Sequence, residues 1–154
     1  MRGAAPGTRF NEHGEVVPMR VVIVWGPPAS GKTTYVKQHM AAGDLVVDLD
    51  FIKQAISMAG KTEAADNLLP TALHIRELLY QLIARREVSC DTAWVVASLP
   101  RRGEREELQC RLRAEMVRMI TSMQECIDRA YADYERTDKE LQVRIIERWF
   151  SQYE

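Results

Sequence analysis

The chain has 154 residues, 46% hydrophobic and 28% charged, which suits one globular domain with a sizeable core and excludes global disorder. Its 21 basic and 22 acidic residues leave a formal net charge of -1, so a polycationic binder is excluded, while a local basic patch stays compatible with that sum. Cys90, Cys110 and Cys126 form no CxxC and His13, His39 and His74 form no metal-spaced pair, so zinc ribbons and thioredoxin-type sites have no support; three thiols without a signal sequence suit a reducing cytoplasm, and no apolar run is long enough for a membrane span.

Residues 1–18 are rich in Gly, Pro and polar residues and read as a flexible tail before a domain at 19–154, with a strand or hairpin at Val16–Val17 as the alternative. The run RVVIVW at 20–25 is apolar and β-branched, as in a strand buried on both faces. A helix is expected over 32–40 with Gly43 as its C-cap, then a second strand at 45–49 and a helix capped by Asp50. Residues 60–70 read as a polar connection. An amphipathic helix follows over 71–86, capped by Thr71, with Leu73, Leu78, Leu79, Leu82 and Ile83 at helical spacing. A third strand at 92–97, a charged helix at 104–113, a fourth strand at 115–120 and helices at 123–134 and 138–153 complete the chain. Strands alternating with helices imply an α/β fold in three layers, with a mostly parallel sheet of four to five strands.

Gly26-Pro27-Pro28-Ala29-Ser30-Gly31-Lys32-Thr33 satisfies G-x-x-x-x-G-K-[ST]. A chance match in a chain of this length is about one in a few hundred. The motif also lies between a predicted strand and a predicted helix, as a P-loop must. Backbone N–H groups of residues 26–31 and of the helix start at Lys32, Thr33 and Thr34 would face phosphate oxygens. Lys32 would place its cation on the β- and γ-phosphates of ATP, and Thr33 its hydroxyl on Mg²⁺. Kinases, GTPases and motor-like ATPases share this loop, so the reaction is decided elsewhere.

The second strand ends in Asp48 and Asp50, at the sheet edge where open α/β folds bind ligands. Asp50 could take the proton of an acceptor hydroxyl, Asp48 could face the acceptor or the γ-phosphate, and Lys53 could hold the acceptor or the transferring group. The bland alternatives are a helix cap and a solvated lysine. VVDLDFIKQAI behind the P-loop resembles the phage polynucleotide 5′-kinases and their small P-loop relatives, over residues 20–57. The resemblance implies that Asp50 is a general base, followed by a basic residue three positions on and then Gln. Lys53 and Gln54 match, with Lys where Arg is usual. It further implies nucleic acid 5′-ends as acceptors and lid arginines, for which Arg129 and Arg136 are the candidates, beside the ATP and Mg²⁺ that the P-loop calls for; a protein partner in a phage DNA-processing system belongs to the accessory-subunit alternative below.

Arg102 and Arg105 follow the third strand and could contact acceptor phosphate through a bidentate fork. One departure is Ser98, which occupies the position where ATPases keep an acid after the third strand. It speaks against a motor-like AAA ATPase and leaves Asp48, Asp50 or Ser98 to complete the metal site. Transfer of the γ-phosphate of ATP to a polynucleotide 5′-hydroxyl is the leading expectation. A nucleoside or nucleotide kinase and a nucleotide-binding accessory subunit are the alternatives. A basic groove along Lys53, Arg101, Arg102 and Arg105 would favour nucleic acid, and a deep pocket under residues 60–86 a small acceptor. Trp149, Phe150 and Tyr153 read as helix packing, with a partner surface as the alternative.

Overall fold

The computed structural model describes residues 9–60 and 66–154. Its centre is a four-stranded parallel sheet built from β3 (Arg20–Trp25), β4 (Leu45–Val47), β5 (Thr92–Ala97) and β6 (Glu115–Arg118), in the order β4-β5-β3-β6. Two further short strands, β1 (Arg9–Phe10) and β2 (Val16–Val17), pair antiparallel outside this sheet. The expected tail therefore contains a hairpin, closed by Asn11 with Gly14 at φ 74°; residues 1–8 lie outside the described residues. Among the described residues no helix is long and apolar enough to cross a membrane.

β3 is central because every one of its side chains past Arg20 is buried. Val21, Ile23 and Trp25 enter one core with Tyr80 and Ile83 of α3 (Leu69–Ala84), Leu112 of α4 (Arg102–Leu112) and Trp149 of α6 (Lys139–Gln152). Val22 and Val24 alternate to the other face, against Val36 of α1 (Lys32–His39) and Trp94 of β5. Helices therefore cover both faces. A third cluster joins Cys126 and Ala130 of α5 (Met123–Ala132) to Ile146 of α6 and reaches Ala29 of the P-loop. The α5–α6 pair is thereby packed directly against the loop.

The strand order places the site. The connection out of β3 leads through α1 toward β4, while the one out of β5 leads through α4 past β3 to β6. The two crossovers leave in opposite directions, so a crevice opens at the carboxyl ends of β3 and β5.

Several boundaries differ from the sequence reading. Asp48, not Asp50, is the N-cap of α2 (Leu49–Ser57): its Oδ1 accepts from the Asp50 N–H at 2.9 Å. β4 accordingly ends at Val47 rather than at residue 49. α3 begins at Leu69, behind a 3₁₀ turn at Asp66–Leu68, with Pro70 in its first turn rather than Thr71 as cap. Met40, not Gly43, closes α1, and Gly43 takes φ 91° in the turn after it. α4 starts two residues early, at Arg102, and β6 stops at Arg118. Part of the expected connection, residues 61–65, lies outside the described residues.

Gly26 shows how tightly the loop is set on the sheet. A Cβ there would lie 2.1 Å from the Met119 carbonyl oxygen, beside the bond from the Met119 N–H to the Trp25 carbonyl at 2.8 Å. The obstacle is backbone, which cannot swing aside. Gly26→Ala is expected to destabilise the fold by about 2 kcal/mol or more, read from denaturant unfolding; a loss below about 0.5 kcal/mol would refute this account of the position.

Candidate active site

The P-loop is held in an unusual backbone course. Gly31 has φ 95° and Ala29 φ 61°, the latter left-handed despite its Cβ. Gly31 is the N-cap of α1 and provides no side-chain cap, and no acid stands in the first turn. The first N–H groups of α1 and the positive end of its dipole therefore face the crevice without a side-chain anion. The Ser30 hydroxyl is buried and has no protein partner. Such a loop has the donor set for a phosphate chain.

Loop carbonyls are pinned from two sides. Lys32 Nζ donates to the carbonyls of Gly26 at 2.6 Å and Pro27 at 2.9 Å. Arg129 Nη1 donates to the Ser30 carbonyl at 2.8 Å. Burial pulls the Lys32 ammonium down to about 8, against the pull of Asp48, which favours the charged form.

Asp48 is the buried acid of the site, 7% exposed. While Oδ1 caps α2, Oδ2 accepts from the Thr33 hydroxyl at 3.2 Å. Two hard oxygen donors from different elements thus meet at the foot of the P-loop, a pairing suited to Mg²⁺. Ser98 also borders the cavity, but its carbonyl accepts from Trp149 Nε1 at 2.8 Å.

One cavity of about 650 Å³ collects these groups. P-loop residues 28–34 form its floor, with Asp48, Asp50, Lys53 and Gln54 on one wall and Arg129 and Arg136 on another. Asp50, Lys53, Arg129 and Arg136, separated in sequence, are therefore brought together with the loop, while Gly26 and Pro27 do not line the cavity. Arg136 donates from Nε to Asp133 at 3.1 Å and from Nη1 to Gln142 Oε1 at 2.7 Å.

Two residues of the expected set, Arg102 and Arg105, lie outside this cavity. Arg105 does not border the cavity; it donates to the carbonyls of Leu99 at 3.0 Å, Pro100 at 2.9 Å and Glu154, and its guanidinium lies 4.3 Å from the Trp25 ring centroid. It ties the α6 end of the chain to the β5–α4 turn. Arg102 is exposed at the start of α4, outside the cavity. Of Lys53, Arg102 and Arg105, only Lys53 borders the cavity. Trp149 is 4% exposed and stacks with Tyr153 at 5.1 Å, which is packing.

Sequence reasoning missed Asp66, Arg76, Asp133 and Gln142, all of which line the cavity. Gln142 had a readable signal: it lies with Ile146 and Trp149 on the buried stripe of α6, a polar residue at a core position. Arg76 had none, because α3 carries its charges on an otherwise ordinary amphipathic helix.

The AAA_33 family, described as an AAA domain, matches residues 21–153. The chain belongs to that family. No curated protein matches the chain by sequence. Among solved structures, a chain of the Pnkp1/Rnl/Hen1 RNA repair complex is similar at TM-score 0.57 and 12% identity, over 94% of this chain and 49% of that one. The AAA_33 chain thus spans about half the length of that relative. Shikimate kinase from Acinetobacter baumannii in complex with shikimate is similar at TM-score 0.50 and 18% identity, over 89% of this chain and 82% of that one. TT1252 from Thermus thermophilus is similar at TM-score 0.53 and 17% identity, over 85% and 80%. These likenesses establish the shared fold.

Two expectations follow. Arg105→Ala is expected to cost about 1–3 kcal/mol of stability through its lost bonds and ring contact, with nucleotide affinity of the folded protein unchanged; a selective loss of ligand affinity would return Arg105 to the site. The folded Lys32 releases its proton near pH 8, while the unfolded chain keeps it to about 10.5. The unfolded state thus binds more protons between those values, and stability rises with pH across that window. Denaturant unfolding at several pH values should show this rise in the wild type and a flatter profile in Lys32→Met.

Proposed function

We propose that this AAA_33 chain is a phosphotransferase that moves the γ-phosphoryl group of ATP to an acceptor hydroxyl. The observation that carries this is the division of the two acids after β4: Asp48 is turned under the loop to Thr33, while Asp50 stands on the cavity wall with Lys53. One carboxylate is committed to the metal side and the other to the acceptor side.

In this reading the N–H groups of the loop and of α1 bind the phosphates of ATP, with Lys32 moving its Nζ from the loop carbonyls onto them. Thr33 and Asp48 would hold Mg²⁺, Asp48 directly or through water. When bound, the ion neutralises charge on the β- and γ-phosphates. The Asp50 carboxylate accepts the acceptor's hydroxyl proton as its oxygen forms the new bond to phosphorus and the bond from the γ-phosphorus to the bridging oxygen breaks. Lys53 and Arg136 offset charge on the group in transit. Packing of α5 and α6 against Ala29 limits water at the phosphate end.

The acceptor we favour is compact, such as a nucleoside or nucleotide. Asp66 and Arg76 border the cavity on the α3 side, while Arg102 and Arg105 lie outside it, with Arg105 turned to the Glu154 carbonyl. A second reading, the 5′-hydroxyl of a polynucleotide, is favoured by the Asp50, Lys53, Gln54 pattern and by the likeness to a chain of an RNA repair complex.

The test is label transfer from γ-labelled ATP with Mg²⁺ to nucleosides, nucleotides, 5′-hydroxyl DNA and RNA oligonucleotides, and water. Label is expected on a small acceptor, with Asp50→Asn slowing transfer by about 100- to 10,000-fold while ATP still binds. Label on oligonucleotides alone would select the second reading. ATP binding without transfer to any acceptor would overturn the phosphotransferase and leave a nucleotide-binding accessory subunit.

A further inference from the structure

Gln142 is 5% exposed, and few other polar side chains among the described residues are buried as deeply. It sits on the inward stripe of α6, where an apolar residue would pack without needing a partner. Its Oε1 accepts from Arg136 Nη1 at 2.7 Å. On the other edge of the same guanidinium, Nε meets Asp133 Oδ2 at 3.1 Å, and the Arg136 side chain is only 14% exposed. The turn that carries Arg136 is itself tied down. Asp133 Oδ1 accepts from the Glu135 N–H at 3.0 Å, the Asp133 carbonyl from the Arg136 N–H at 3.1 Å, and Lys139 Nζ donates to the carbonyls of Ala130 at 2.9 Å and Asp133. Both ends of the turn and two edges of the guanidinium are therefore held.

We infer that Gln142 is a positioning residue which, with Asp133, presets the Arg136 guanidinium in the cavity it shares with Lys32 and Thr33, so that it meets the γ-phosphate of a bound nucleoside triphosphate. The inference rests on the phosphotransferase reading and deepens it. A guanidinium has five donors in a planar fork, and two of its edges are used here for holding, which leaves the rest for the ligand. The neutral carboxamide matters as much as the hydrogen bond. Asp133 already brings one carboxylate to Arg136. A second carboxylate in place of the amide would leave Arg136 between two negative charges and cancel the positive charge it offers a phosphate. Arg129, the other arginine on this wall, donates from Nη1 to the Ser30 carbonyl and so also holds the loop.

Gln142→Glu separates positioning from packing, because it keeps the shape and the hydrogen bond and changes only the charge. The measurement is equilibrium binding of Mg²⁺ with ADP and with the non-hydrolysable triphosphate AMPPNP, beside thermal melting, for wild type, Arg136→Ala and Gln142→Glu. The expected result is a melting temperature within about 2 °C of wild type, ADP affinity unchanged, and the preference for AMPPNP over ADP reduced about tenfold in Gln142→Glu, as in Arg136→Ala. Should Gln142→Glu not fold, Gln142→Met keeps the volume, frees the guanidinium and should reduce the same preference. A wild-type preference retained in the folded Gln142 variants, or a parallel loss for both nucleotides, would overturn the inference and leave Gln142 a packing residue. A wild-type protein that binds neither nucleotide would instead overturn the phosphotransferase reading itself.

Discussion

A single buried carboxylate, that of Asp48, joins the parts of this molecule that have to act together. One oxygen receives the Thr33 hydroxyl from α1 and the other caps α2. Because a buried carboxylate is costly unless its oxygens are satisfied, neither bond can relax without penalty. The P-loop helix and the helix carrying Asp50 and Lys53 are therefore held in a common frame. The cap also sets where α2 begins, and so fixes which residues of its first turns face the cavity. One short acidic side chain thus supports the strand end, the helix start and the oxygen pair under the loop.

The last helix is the second organising element. α6 packs Trp149 on the sheet and anchors it through the Ser98 carbonyl. Further along it presents Gln142 to Arg136, and Ile146 to Cys126 and Ala130 of α5. Its far end closes onto Trp25 through Tyr153, with Arg105 between the rings and the chain end. A helix far from the P-loop in sequence thereby sets one wall of the cavity. Arginine is used in two ways around it. Arg105 is spent on carbonyls and aromatic faces, and Arg136 is braced with donors to spare.

Much of the fold was legible in the sequence because its signals are local. The buried run before the loop, the glycine and lysine spacing of the loop, and the helical periodicity of α3 and α6 each follow from neighbouring residues. The two acids after β4 were legible as a pair but not in their division. Which one caps α2 depends on where β4 stops, and that is set by pairing of Val47 with Val95 of β5. Arg102 and Arg105 were read as a possible anion site because they follow a strand. The surroundings of Arg105 come from the end of α6 and from Trp25, which the sequence places far away. Arg76 went unread because nothing in the charge pattern of α3 marks it out, whereas the polar Gln142 at a core position of α6 was a signal available in the sequence.

The sequence by itself determined the P-loop, the alternation that makes a parallel α/β sheet, and the presence of acids at the carboxyl end of the second strand. These are encoded in short windows, where backbone preference and side-chain periodicity suffice. The tertiary structure alone decided which carboxylate turns under the loop, which arginines reach the cavity and which polar group braces them. Those outcomes depend on how the α5–α6 pair and α3 pack against the sheet edge, and packing between distant segments is not written in any one of them.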